Sequence, residues 1–167
     1  MKAPDYLALN PMGKVPAIVH DGKVVTEVAA ICTYLAMTFP EAGLMAEDKA
    51  ACFRWMFFAA GPLEQAAVNA SFGWQPSGPQ EKRRAGYGDL ADVLGALTGH
   101  LAAHDFVADG RFTAADVYVG SQIGWGMQNG GIPVNATLQA YWARIRDRPA
   151  RQSAEALDNA LIRENQP

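Results

Sequence analysis

Beyond Ala46 the chain carries only helical periodicity, so any sheet has to be built from the residues before it. The first helical stretch spans residues 47–72 and holds Gly61-Pro62 near its middle. Proline lacks an amide donor and crowds the preceding turn, so a bend is expected there. Trp74-Gln75-Pro76-Ser77-Gly78-Pro79 reads as a loop. Residues 80–104 read as one amphipathic helix, with Leu90, Leu94, Leu97 and Leu101 in its apolar stripe. After the turn Asp109-Gly110-Arg111 comes Phe112-Thr113-Ala114-Ala115-Asp116-Val117. Thr113 is placed to cap the following amides and Asp116 to reach back to the Thr113 amide, an Asp form of the capping box. Phe112 and Val117 occupy the positions of a hydrophobic staple. The helix so started runs through Val119 and Ile123 towards Met127, and Asn129-Gly130-Gly131-Ile132-Pro133 breaks it. Two shorter helices, residues 136–147 and 150–161, are separated near Pro149.

The front of the chain reads differently. Val15-Pro16-Ala17-Ile18-Val19 is a short β-type run, and Lys23-Val24-Val25 returns after Asp21-Gly22. Asp-Gly between two such runs is a strong two-residue hairpin signal. Thr26 is expected to cap the next helix, with Glu27 in its first turn where a carboxylate suits the helix dipole. Val28, Ile31, Cys32 and Leu35 give that helix one apolar face as far as Met37. Phe39-Pro40-Glu41-Ala42-Gly43 closes it. The expected organisation is a hairpin-plus-helix unit over residues 1–39, a linker over 40–46 and an all-α region over 47–167. The fold class is α+β, mostly α.

Half of the 167 residues are hydrophobic and 19% are charged, enough apolar surface for a real core. The net charge of −3 offers no concentrated positive field, so no nucleic-acid partner is expected. The most apolar stretch, residues 50–68, contains Arg54, Glu64 and Gly61-Pro62; it reads as a core helix and not a membrane span. No secretory signal is visible, and a cytoplasmic location is expected. Cys32 and Cys52 stand apart from any Cys-x-x-Cys pair and read as reduced, small hydrophobes, with a disulfide between them as the lesser alternative. His20, His100 and His104 read as surface or loop histidines, and no metal site is expected.

Asn10-Pro11-Met12-Gly13-Lys14-Val15-Pro16-Ala17-Ile18-Val19, Asp21-Gly22, Thr26-Glu27-Val28-Ala29-Ala30-Ile31 and Tyr34-Leu35-Ala36 together resemble the second half of the thioredoxin-like domain of glutathione transferases. Trp55-Met56-Phe57-Phe58-Ala59-Ala60-Gly61-Pro62-Leu63-Glu64 is similar to the start of the helical domain in bacterial members. Phe112-Thr113-Ala114-Ala115-Asp116 and Arg148-Pro149-Ala150 resemble family features near its end. The resemblance implies a partial thioredoxin-like domain followed by the family's all-α C-terminal domain. It also implies glutathione as cosubstrate. Pro16 would follow a cis bond that turns the Val15 N–H and C=O towards the cysteinyl part of the tripeptide. Glu27 would take the γ-glutamyl ammonium, the Val28 amide its carboxylate, and Lys14 a further carboxylate. Many relatives carry Ser where this chain has Val28, so one hydroxyl donor is missing.

The resemblance further implies that the family's front βαβ unit, which carries the thiol-activating Tyr, Ser or Cys, is not among these residues; Asp5-Tyr6-Leu7-Ala8-Leu9 resembles the end of the second helix. No catalytic residue is therefore assigned, and Tyr6 and Tyr34 match structural positions. Trp55 and Phe58, with Trp74, are candidates for an apolar cosubstrate pocket, against the commoner alternative that aromatics on a long helix fill the core. The implied activity is conjugation of the glutathione thiolate to small apolar electrophiles by a homodimeric enzyme. The alternative is a non-catalytic dimerisation or docking module of the same fold.

Overall fold

The computed structural model describes residues 1–164; residues 165–167, with which the expected all-α region ends, lie outside it. A short helix α1 (Pro4–Leu9) leads into strands β1 (Ala17–His20) and β2 (Lys23–Thr26) and helix α2 (Val28–Thr38). A 3-10 turn (Pro40–Ala42) follows, and then α3 (Lys49–Phe58), a π-helical turn (Ala59–Leu63) and α4 (Glu64–Ser71). The remaining helices are α5 (Pro79–Ala85), α6 (Leu90–Leu101), α7 (Ala114–Gln128), α8 (Ala136–Arg146) and α9 (Pro149–Glu164).

The hairpin forms where Asp21-Gly22 placed it. Both turn residues have positive φ, 50° and 72°, as a type I′ turn requires. The antiparallel register runs from Ala17↔Thr26 to His20↔Lys23. Thr26 is thereby committed to the ladder and does not cap α2. The chain turns one residue later, so the cap position falls on Glu27, at φ 69°.

Two long helical readings are corrected. Residues 47–72 form α3 and α4 joined by the π turn. Pro62 has no N–H to donate, and the backbone passes it by widening one turn; Phe58 and Glu64 on either side keep right-handed helical geometry. Residues 80–104 are not one helix. Gly86 ends α5 in the left-handed region at φ 73°. After Gly88, Asp89 starts α6 with a capping box, accepting from the Asp92 amide at 2.9 Å and donating its own amide to the Asp92 carboxylate. The leucine stripe describes α6 alone.

Helix α7 is the centre of the molecule and packs on α2, α3, α8 and the π turn. Its Ala115, Val119 and Ile123 are fully buried and join Trp55, Met56, Leu63, Leu97 and Tyr141 in one core. Val28 and Cys32 of α2 pack against that core, which fixes α2 to the helical region. At the start of α7, Asp116 is completely buried. One of its oxygens accepts from the Val107 amide and the Tyr141 hydroxyl, both at 2.9 Å. The other accepts from the Thr113 amide at 2.8 Å and the Thr113 hydroxyl at 2.9 Å. The expected reach-back bond is therefore formed, and it extends into a four-donor network.

The segment between α2 and α3 is tied to the loop before α7. The Arg111 guanidinium donates to the carbonyls of Gly43 and Met45, and the Asp109 carboxylate accepts from the amides of Glu47 and Asp48. Among the described residues no helix is long and apolar enough to cross a membrane.

Candidate functional site

The hairpin register assembles the site. Ala17 and Thr26 are the last pair of the ladder, so Pro16 and Glu27 flank the same open end. The Val15–Pro16 peptide bond is cis. Just before it, the Lys14 carbonyl accepts from the Asn10 side-chain amide at 2.8 Å and from the Tyr6 hydroxyl. Asn10 is itself buried, and its side-chain oxygen accepts from the Met12 amide at 3.1 Å. These bonds fix the approach to Val15, which stays 63% exposed, and Lys14 and Pro16 are exposed beside it.

Across the gap, Glu27 is exposed and makes no side-chain bond to the start of α2. The first bond of the helix runs from the Ile31 amide to the Glu27 carbonyl. The amides of the first turn thus have no intrahelical partner, and with the helix dipole they present a positive end. A carboxylate beside amides without intrahelical partners is a pair of opposite charges suited to a zwitterionic group. All five residues expected to hold glutathione, Lys14, Val15, Pro16, Glu27 and Val28, therefore lie about one end of the hairpin. The Val28 side chain packs on the core, and its contribution to the open face is its backbone.

From Glu27 an apolar cleft of about 760 Å³ runs between α2 and α3, lined by Ala30, Met37, Phe53 and Phe57 among others. Trp55 and Phe58 do not line it. Trp55 is 1% exposed, with Phe58 edge-on at 5.1 Å and His100 tilted over it at 4.6 Å. Trp74 lies elsewhere on the surface, against Phe72. Burial pushes both the Cys32 and Cys52 thiols up, away from the range of a reactive thiolate, and both cysteines are free. Sequence reasoning missed Asn10 as the anchor of the loop; the only local signal is an Asn preceding a proline in a turn. It also missed Phe53 and Phe57, whose i, i+4 spacing marks a shared helix face.

A hairpin and helix presenting a cis-proline loop, joined to a helical domain, define the thioredoxin-like and helical halves of one protein class. Residues 1–38 match the family model described as glutathione S-transferase, N-terminal domain. The chain is 31% identical to glutathione S-transferase 3 of Zea mays, over 93% of this chain and 76% of that protein. It is 29% identical to glutathione S-transferase GST-4.5 of Xanthomonas campestris, over 95% of this chain and 83% of that protein. A sphingomonad glutathione S-transferase solved in complex with glutathione superposes with a TM-score of 0.74 at 32% identity, covering 94% of this chain and 80% of that one. This chain belongs to the glutathione S-transferase family.

Proposed function

We propose that the protein binds glutathione at the open end of the hairpin and conjugates it to small electrophiles as a homodimer. The observation that carries this reading is the exposed Glu27 at the start of α2, which its side chain does not cap, one residue past the Ala17–Thr26 pair that also places Pro16 beside it. The Glu27 carboxylate pairs with the γ-glutamyl ammonium. The first-turn amides of α2, beginning with Val28, take the adjacent carboxylate. The Val15 backbone pairs with the cysteinyl unit as an added strand would. The Lys14 ammonium answers the remaining carboxylate.

In the reaction the thiol releases its proton to solvent. The thiolate sulfur forms a C–S bond to an electrophilic carbon, and the displaced group leaves with the electrons of its bond. This chain's contribution is to hold the tripeptide in one orientation, which turns an encounter in solution into a reaction within a complex. The second copy in the dimer meets the outer rim of the cleft at Met37 and Phe57 and leaves its Glu27 and Ala60 wall open to ligand. Phe57 is 69% exposed and Met37 63% exposed there, a concentration of apolar surface that water disfavours.

Calorimetric titration with glutathione tests the site. Binding is expected, with Glu27→Gln weakening it by about tenfold, in line with loss of a charge-assisted contact. Equal affinity in the two proteins would remove Glu27 from the site. Turnover of a panel of aryl halides separates the enzyme from a docking module that binds glutathione without reacting it.

A further inference from the structure

Glu64 is a charged side chain that glutathione, bound as proposed, does not use. It follows directly on the π turn, and its Oε2 accepts from the Tyr118 hydroxyl at 3.1 Å and from the Gln122 side-chain amide at 3.3 Å. An exposed glutamate ordinarily sweeps through many rotamers. Here two donors rooted in the central helix α7 hold it in one place, and Tyr118 is 4% exposed. Tyr118 and Gln122 belong to α7, which packs directly on α2, so the network sits beside the helix that begins at Glu27 and Val28.

The surface is continuous between the two carboxylates. Ala60 belongs to the wall of the 760 Å³ cleft that contains Glu27. It also borders a second, shallower hollow of about 290 Å³ lined by Gly61, Glu64, Gln65, Val68 and Asn69. The π turn supplies the ground between them. Such turns are uncommon and recur at functional sites. This one sets Ala60 and Gly61 in the path, and a Cβ at Gly61 would meet nothing within 4 Å. No bulky side chain of the turn separates the glutathione end from Glu64.

We propose that Glu64 determines specificity in the electrophile's part of the cleft, favouring electrophiles and their glutathione conjugates that carry a cationic group, such as a quaternary or protonated amine. The inference rests on the glutathione reading above. A purely structural role, as acceptor for Tyr118 and Gln122, needs only an oxygen. The cationic preference needs the charge, and Glu64→Gln separates the two.

The probes are two isosteric conjugates, S-(4-trimethylammoniobenzyl)glutathione and S-(4-tert-butylbenzyl)glutathione, titrated calorimetrically into the whole protein. The cationic conjugate is expected to bind about twofold to fivefold more tightly at low salt, the range of an exposed charge pair, with the ratio shrinking as salt is added. Glu64→Gln is expected to bring the ratio close to one, and an unchanged melting temperature marks the variant as folded. Equal binding of the two conjugates by the unmodified protein overturns the role of Glu64 and leaves the glutathione site standing. A preference that survives in Glu64→Gln also overturns it. Failure of glutathione and both conjugates to bind overturns the glutathione reading and this inference with it.

Discussion

Asp116 is the residue on which the start of α7 depends. Burial pushes its carboxyl up from the usual carboxylate range, and its hydrogen bonds to Val107, Thr113 and Tyr141 pull the other way. Removing it strands the Tyr141 hydroxyl, 1% exposed, and two buried amides at once. Asp116→Ala is expected to lower unfolding stability by about 3–5 kcal/mol, read from urea denaturation. His100 makes stability depend on pH in the neutral range. Burial lowers its pKa, and the neighbouring His104 and Arg54 charges add to that, against an opposing hydrogen bond to the Val107 carbonyl. A depressed histidine pKa means the folded state favours the neutral ring. Its contribution is present above the unfolded value of 6.5 and is lost as pH falls below it. The melting temperature is expected to drop between pH 7.5 and pH 5, and less so in His100→Gln. At the ligand site, Val28→Ser adds a hydroxyl donor where the helix begins. Glutathione affinity is expected to rise about fivefold by calorimetry. Unfolding stability falls by about 1 kcal/mol, because the valine packs on the core.

At the scale of elements, α7 is held close to its neighbours by absent side chains. A Cβ at Gly126 would lie 2.5 Å from the Ile132 side-chain terminus and 3.1 Å from its Cβ. Ile132 is 1% exposed and has nowhere to move. Alanine is the better helix former by about 1 kcal/mol, and overpacking a core costs about 1–3 kcal/mol. Gly126→Ala is therefore expected to destabilise on balance, seen as a lower urea midpoint, and trimming Ile132 to Ala in the same chain should recover part of the loss. The π turn is the other element with a distinct identity. It carries Pro62 through a helical path and delivers Ala60, Gly61 and Glu64 to the surface that runs on from the cleft beside Glu27.

For the whole molecule, the α2–α3 cleft is the face on which association is expected. Its exposed Phe57, Met37 and Phe53 line one cleft and so form a single apolar face. Light scattering after size exclusion is expected to give twice the chain mass for the unmodified protein. Phe57→Glu is expected to shift it to a single chain mass, because a carboxylate in that face has no partner and stays hydrated. Retention of the melting temperature in that variant would show that the change is confined to association.

Local order in the chain was enough to determine the hairpin, the cap at Thr113-Asp116, the helical character of the elements described past Ala46 and the family that these motifs share. Each depends on a few neighbouring residues: two positive-φ positions, a reach-back carboxylate, a repeat of apolar side chains. The five residues proposed to hold glutathione could be picked out for the same reason, since they fall on motifs with fixed spacing. What only the tertiary structure decided depends on partners distant in sequence. Thr26 looked like a cap until its pairing with Ala17 made it a strand residue. Trp55 stayed a pocket candidate beside the commoner core reading until His100 and Phe58 closed over it. Glu64 looked like any surface glutamate until Tyr118 and Gln122, more than fifty residues later, held its carboxylate in place. Short-range hydrogen bonding is written along the chain, whereas burial and side-chain anchoring are properties of what the folded chain brings alongside.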